Sequence, residues 1–162
     1  MAKVYLETTI PSYLAGRPSR DLIVAGHQQI TRDWWEVRRH VFDLYVSQAV
    51  IDEAAAGDPV VSKRRLDLLA NLRVLPMNDG IMELAEKLVQ EGPIPARAAA
   101  DAVHIAIATS YTCDYLLTWN CAHIANAEIQ RKIRRVVTVR GFELPVICTP
   151  EELMGDENAV SR

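Results

Sequence analysis

The sequence predicts a three-layer α/β domain, a parallel sheet of four to five strands with helices on both faces. Three observations carry that expectation. Short apolar runs such as Val4-Tyr5-Leu6 alternate along the chain with longer segments of helical period. The segments between runs are long enough for the right-handed crossovers that parallel strands require. The chain has 162 residues, 49% of them apolar, and a domain of that size buries roughly 70% of the surface its unfolded chain exposes.

The elements follow in order. Val4-Tyr5-Leu6 reads as a buried strand that stops at Glu7-Thr8-Thr9. Ile10-Pro11-Ser12 then opens a helix, with proline where a first turn tolerates it. Residues 22–40 read as a helix with apolar positions at Ile23, Ile30, Trp34, Trp35 and Val37. Leu44-Tyr45-Val46-Ser47 is the second strand, and Ala49–Ala56 leads into helix. Asp58-Pro59 breaks the chain before a helix over 60–70, and Arg73–Met77 is a short third strand. Residues 81–91 form an amphipathic helix with Leu84, Ala85, Leu88 and Val89 on one side, closed by Gly92-Pro93. Residues 96–110 are alanine-rich and nearly apolar, as in a helix buried against a sheet. Asp114–Trp119 is the fourth strand, followed by a helix through Ile133, and Val146-Ile147-Cys148 is the fifth. No repeat or long linker divides the chain. One domain over residues 1–154 is expected, with a loose polar tail over 155–162.

Composition removes several function classes. Eighteen Lys and Arg against twenty-one Asp and Glu give a net charge of −3, which excludes both a uniformly basic chain and an acidic disordered one. No apolar stretch approaches the ~18 residues of a membrane span, and the start lacks a signal-peptide plan. Cys113, Cys121 and Cys148 cannot all pair internally, so a reduced, cytoplasmic setting is expected.

In open parallel sheets, ligands bind beyond the carboxyl ends of the strands. Glu7 follows the first strand, Glu53 lies soon after the second, and Asn120 ends the fourth. Asp101 is the only charged residue between Arg97 and Asp114, and a lone carboxylate in an apolar helix needs a partner. Carboxylates that converge repel, by about 4 kcal/mol per pair at ~4 Å and a dielectric of 20, so such a cluster holds a proton or a cation. Oxygen donors without zinc-like Cys or His spacing favour Mg²⁺ or Mn²⁺, which suits phosphodiester hydrolysis. Each acid also has an ordinary reading. Glu7 suits a helix N-terminus, Glu53 a solvated first turn, and Asp101 an ion pair with Arg97 one turn back.

Read together, Val4-Tyr-Leu-Glu-Thr-Thr9, Ser47-Gln-Ala-Val-Ile-Asp-Glu53, Asp101-Ala-Val-His-Ile-Ala-Ile-Ala108 and Asp114-Tyr-Leu-Leu-Thr-Trp-Asn120 carry a family resemblance. The chain resembles the PIN-domain ribonucleases, in particular the VapC-like toxins of bacterial toxin–antitoxin pairs, from Lys3 to about Leu153. The resemblance implies a PIN-like fold, four acids around one or two Mg²⁺ or Mn²⁺ ions, and RNA as substrate. It also implies a homodimer and an antitoxin whose C-terminal segment covers the acidic cleft. Glu7, Glu53 and Asp101 match the first three acids, and Asn120 stands where the fourth is expected. Glu7 in place of the usual Asp reaches ~1.5 Å further. Asn120 keeps an oxygen ligand but removes a charge, which points to one tightly held metal.

Thr8, Thr9, Ser47 and Thr118 put hydroxyls beside the acids, for capping and support. Thr8 and Thr118 are also assigned substrate contacts, with Arg17 and Arg20 for substrate phosphate because they lie closest in sequence to Glu7. His104, three residues after Asp101, reads as a satisfied buried histidine or a supporting group, and Cys121-Ala-His123 with Cys113 fits no recognised zinc spacing. Between Ile129 and Phe142 stand Arg131, Lys132, Arg134, Arg135 and Arg140 with no acid, a solvated face or a track for a nucleic-acid backbone. Of adjacent Trp34 and Trp35 only one can face the core, and the other suits an interface.

The expected function is therefore a metal-dependent endoribonuclease of VapC-like type. The alternatives are a PIN-like module that binds RNA or a partner without cutting, Asn120 having reduced the metal site, and a DNA nuclease or phosphatase on a similar sheet. Glu7, Glu53, Asp101 and Asn120 are expected to gather in one cleft.

Overall fold

The computed structural model describes residues 1–156. The loose tail expected over 155–162 lies, past residue 156, outside the described residues. The elements are β1 (Ala2–Leu6), α1 (Thr9–Ala15), α2 (Leu22–Val37), β2 (Phe42–Ser47), α3 (Gln48–Ala54), α4 (Pro59–Leu69) and β3 (Arg73–Leu75). They continue with α5 (Asp79–Gln90), α6 (Ala99–Ser110), β4 (Tyr115–Leu117), α7 (Ala127–Val139) and β5 (Val146–Cys148).

The five strands form one sheet in the order β3-β2-β1-β4-β5, and every neighbouring pair is parallel. Val4 lies between Leu44 on β2 and Tyr115 on β4. Val4, Tyr5 and Leu6 are fully buried, as the middle strand of a sheet covered on both faces must be. The chain moves outward from β1 through β2 to β3, then crosses to the other side for β4 and β5. The strand order therefore reverses between β1 and β4, and beyond their carboxyl ends lies the crevice where open α/β sheets take ligands.

The helix starts are written locally. Asp21 accepts from the backbone N–H groups of Ile23 and Val24, Asp58 from those of Val60 and Val61, and Asn126 from those of Glu128 and Ile129. Ser47 and Asn78 cap α3 and α5 in the same way. At the other end of α7 the Phe142 N–H returns to the Val137 carbonyl across Gly141 at φ +82°, a left-handed stop that glycine adopts without strain.

Several expected boundaries move. The helix expected over 22–40 ends at Val37, and Arg39–Val41 form a 3₁₀ turn. Two members of its apolar stripe, Ile23 and Val37, face solvent. Trp34 is fully buried, whereas Trp35 is half-buried with the Arg39 guanidinium 4.9 Å from its ring centre. Successive helical residues turn ~100° apart, so only Trp34 points squarely into the core and Trp35 packs at its margin. The segment 96–110 starts as a 3₁₀ turn over Ala96–Ala98 before α6. The helix expected to end at Ile133 runs on to Val139, because Val136 and Val137 continue its buried face. Glu53 sits in the last turn of α3 rather than in a first turn.

Candidate active site

Glu7 is the first residue past β1, and it is 4% exposed. Its carboxylate is held from three sides. Oε1 accepts from the Thr9 hydroxyl at 2.6 Å and the Thr118 hydroxyl at 2.6 Å, and Oε2 accepts from the Thr9 N–H at 3.1 Å. Thr9 is the first residue of α1, so the anion also sits at that helix's start, as its ordinary reading allowed.

The arrangement continues from β1 to β4. The Thr118 hydroxyl accepts from the Asn120 N–H at 2.9 Å, and the Thr9 hydroxyl accepts from the Trp119 N–H at 2.9 Å. Asn120 Oδ1 accepts from the His123 N–H at 3.1 Å, and His123 Nδ1 lies 3.1 Å from Asp101 Oδ2. Glu7, Asn120 and Asp101 thus belong to one chain of hydrogen bonds running Glu7–Thr118–Asn120–His123–Asp101. Asp101 pairs with His123 rather than with Arg97.

Glu53 belongs to a second chain. Its Oε1 lies 2.5 Å from His104 Nε2, His104 Nδ1 lies 2.7 Å from the Tyr5 hydroxyl, and that hydroxyl lies 2.8 Å from Ser47 Oγ. One proton assignment uses every donor: Ser47 donates to Tyr5, Tyr5 to Nδ1, and Nε2–H to the carboxylate. Burial, and to a lesser degree the charges of Glu7 and Glu53, hold the Tyr5 phenol well above its ordinary value, against the lowering effect of the Ser47 hydrogen bond. Tyr5 therefore remains a donor. The two chains share scaffolding: Asp101 and His104 lie one turn apart on α6, while Tyr5 on β1 lies two residues before Glu7.

The expected gathering of four residues divides in this way. Glu7, Asn120 and Asp101 are linked by hydrogen bonds, whereas Glu53 is tied to His104, Tyr5 and Ser47 in the separate chain. Among the described residues no three His, Cys, Asp or Glu side chains are grouped to hold a metal ion. The zinc reading also fails on placement: Cys113 and Cys148 are buried, Cys121 is exposed, and His123 serves Asp101. Burial pushes the Cys113 and Cys148 thiols up to about 11 and about 12.

The substrate residues separate as well. Arg17 and Arg20 are exposed. Thr118, expected to touch substrate, is fully buried and its hydroxyl is committed between Glu7 and the Asn120 N–H. The Thr8 hydroxyl is buried without a hydrogen-bond partner among the described residues. Sequence reasoning missed His123 as the partner of Asp101. Its only signal was a place three residues after Asn120, where a turn brings its N–H back to that side chain.

No family model matches the chain, and no curated protein matches it. Solved structures do. A chain of VapBC2 from Rickettsia felis, bound to a DNA fragment from their promoter, matches with TM-score 0.56 and 15% identity, over 91% of this chain and 98% of that one. A chain of VapBC-1 from nontypeable Haemophilus influenzae matches with TM-score 0.54 and 18% identity, over 92% of this chain and 98% of that one. The likeness is one of fold, and the fold is PIN-like.

Proposed function

We propose that the protein is a metal-dependent endoribonuclease of the VapC-like kind, using Mg²⁺ or Mn²⁺ to cut RNA phosphodiester bonds. The observation that carries this reading is the chain linking Glu7, Asn120 and Asp101 across the strand-order reversal of a PIN-like sheet. The donor set fits the ion in kind, since carboxylate and carboxamide oxygens suit a hard divalent cation. Glu7, Asp101 and Asn120 would hold it, with Glu53 as the fourth proposed ligand; Asp101 Oδ1 has no hydrogen-bond donor among the described residues. When bound, such an ion activates water and offsets the charge that develops on the phosphate.

The protein's own groups do the rest. Thr9 and Thr118 fix the Glu7 carboxylate, and His123 orients Asp101 from the opposite side. Arg17 and Arg20 stand exposed near the end of α1 and are assigned to substrate phosphate. The VapBC assemblies among the matching folds support an antitoxin as regulatory partner, and a homodimer is proposed with it. A cytoplasmic site of action follows from that pairing.

The test is cleavage of RNA with Mg²⁺, with Mn²⁺ and with EDTA, on wild type and Asp101→Asn. Metal-dependent cutting that disappears in the variant is expected, and cutting by purified Asp101→Asn at the wild-type rate would overturn the assignment. A second reading, a PIN-like binding module without catalysis, is favoured by one feature: Asn120 is neutral and its oxygen is already committed to the His123 N–H.

A further inference from the structure

Helix α7 carries a row of cations that the fold leaves uncompensated. Arg131, Lys132, Arg134 and Arg135 are all exposed, and none of their side chains makes an ion pair or hydrogen bond with another described residue. Glu128 lies one turn upstream at ion-pairing spacing and yet pairs with none of them. Arg140 differs, since it is paired with Glu91 at 2.6 Å. The opposite face of α7 is anchored by Ile133, Val136 and Val137, so the cations cannot rotate toward a carboxylate elsewhere.

Like charges three and four residues apart on one helix face repel. In a chain of net charge −3, a face of four unpaired cations against the single acid Glu128 is a local asymmetry that an external anion would relieve. Arg131, Arg134, Arg135, Thr138 and Val139 share one open, solvent-exposed face of α7. Guanidinium forks match phosphate oxygens in pairs, the Thr138 hydroxyl adds a polar contact, and Val139, 84% exposed, offers apolar surface to a sugar or base.

We infer that the solvent face of α7 is a binding surface for the phosphate backbone of a single-stranded RNA, outside the candidate active site. The identity of the polyanion as RNA rests on the proposed function, whereas the backbone binding does not. Position argues for a polynucleotide over a mononucleotide. Helix α7 begins seven residues after Asn120, and at 1.5 Å per residue Arg131 lies ~6 Å and Val139 ~18 Å along the axis from its first residue. Cations spread along the axis in this way meet successive phosphates of one strand rather than a single phosphate group. A second copy of this chain is a poor occupant, because a two-fold contact sets the same cations against each other.

The experiment measures binding of a fluorescein-labelled single-stranded RNA, and of DNA of the same sequence, by anisotropy in EDTA over a range of salt. EDTA separates this question from catalysis. Arg131→Gln, Arg134→Gln and Arg135→Gln are combined in one variant. A matched control neutralises Arg32, Lys63 and Arg64. The α7 variant should bind RNA at least tenfold more weakly, with a salt slope lower by about 2, since each lost single-strand phosphate contact removes ~0.7. Replacing the same three arginines by lysine should restore most of the affinity, and unchanged melting of the variants verifies the fold. An α7 variant whose affinity and slope match the control overturns the inference. So does loss confined to DNA, or loss of binding to polyglutamate with RNA binding intact.

Discussion

The two hydrogen-bonded chains at the carboxyl edge hold their carboxylates in opposite ways. Glu7 is buried and received by three donors, two of them from Thr9, two residues along the chain. The Glu53 side chain is 41% exposed and touches one group, a histidine that is itself buried. Freeing Glu7 requires breaking three hydrogen bonds, and freeing Glu53 requires breaking one. The difference teaches that the site has a fixed side, between β1 and β4, and a side that can yield, between β2 and α6. Supporting side chains on the yielding side lie deep in the sheet, so damage there should be felt first as lost stability.

The largest expected effect comes from His104→Ala. The ring is buried, so its removal opens a cavity and leaves the Tyr5 hydroxyl without one of its partners. A cost of about 3 kcal/mol is expected, read as a lower urea midpoint at unchanged m-value. A cost below about 1 kcal/mol would show that the second chain does not support the sheet.

Tyr5→Phe is the milder version, since the ring stays and only the hydroxyl between Ser47 and His104 is lost. About 2 kcal/mol is expected. Its pH dependence has a definite sign. The folded phenol is held above its ordinary value of 10.0, so above that pH the unfolded chain releases the proton more readily than the folded one. Wild type should keep the Tyr5 contribution below pH ~10 and lose it as the pH rises further, while Tyr5→Phe lacks that loss. The stability gap between the two proteins should therefore narrow in alkali; a constant gap would mean that Tyr5 ionises alike in both states.

Much of this was legible in the sequence, and the illegible part has a common cause. The five strands follow from short apolar runs, and Glu7, Glu53, Asp101 and Asn120 stand out because they are polar groups at strand ends or alone in an apolar helix. Pairings between distant residues leave no such mark. Tyr5 and His104 are 99 residues apart, Tyr5 and Ser47 are 42, and Asp101 and His123 are 22. Spacing also fails to say which way a side chain points. Thr118 lies beside the site in sequence, yet its hydroxyl turns inward to Glu7. Ile23 and Val37 keep helical period with the core positions of α2 and still face water, because they stand at the two ends of the helix while the buried Gln28, Thr31 and Trp34 lie between them.

Thr118→Val tests the fixed side. It removes a donor to Glu7 and the acceptor of the Asn120 N–H in one isosteric change. Thr9 still holds Glu7, so the expected cost is about 1–2 kcal/mol, with cleavage reduced roughly tenfold as Glu7 and Asn120 lose their shared support. Thr118→Ser keeps the hydroxyl and should recover most of both. A serine variant as impaired as the valine one would move the cause from the hydrogen bonds to the lost methyl group.

The smallest expected effect on stability belongs to Asn120→Asp, which nevertheless separates the two functional readings. The substituted carboxylate can still accept from the His123 N–H, so the local turn persists. It adds a negative charge to a chain that already contains Glu7 and Asp101, and without a cation that repulsion should lower stability by no more than about 1 kcal/mol at this half-exposed position. A divalent ion reverses the sign, because cation affinity rises with ligand charge. Calorimetry with Mn²⁺ should show binding to wild type, and binding about tenfold tighter to Asn120→Asp. Stability of the variant should then rise with Mn²⁺ concentration more steeply than that of wild type. If wild type binds Mn²⁺ and cuts RNA, its neutral Asn120 suffices beside the charged Glu7 and Asp101. If wild type does neither while Asn120→Asp does both, the natural protein is a binding module, and the fixed side of the site is a scaffold whose fourth charge is missing.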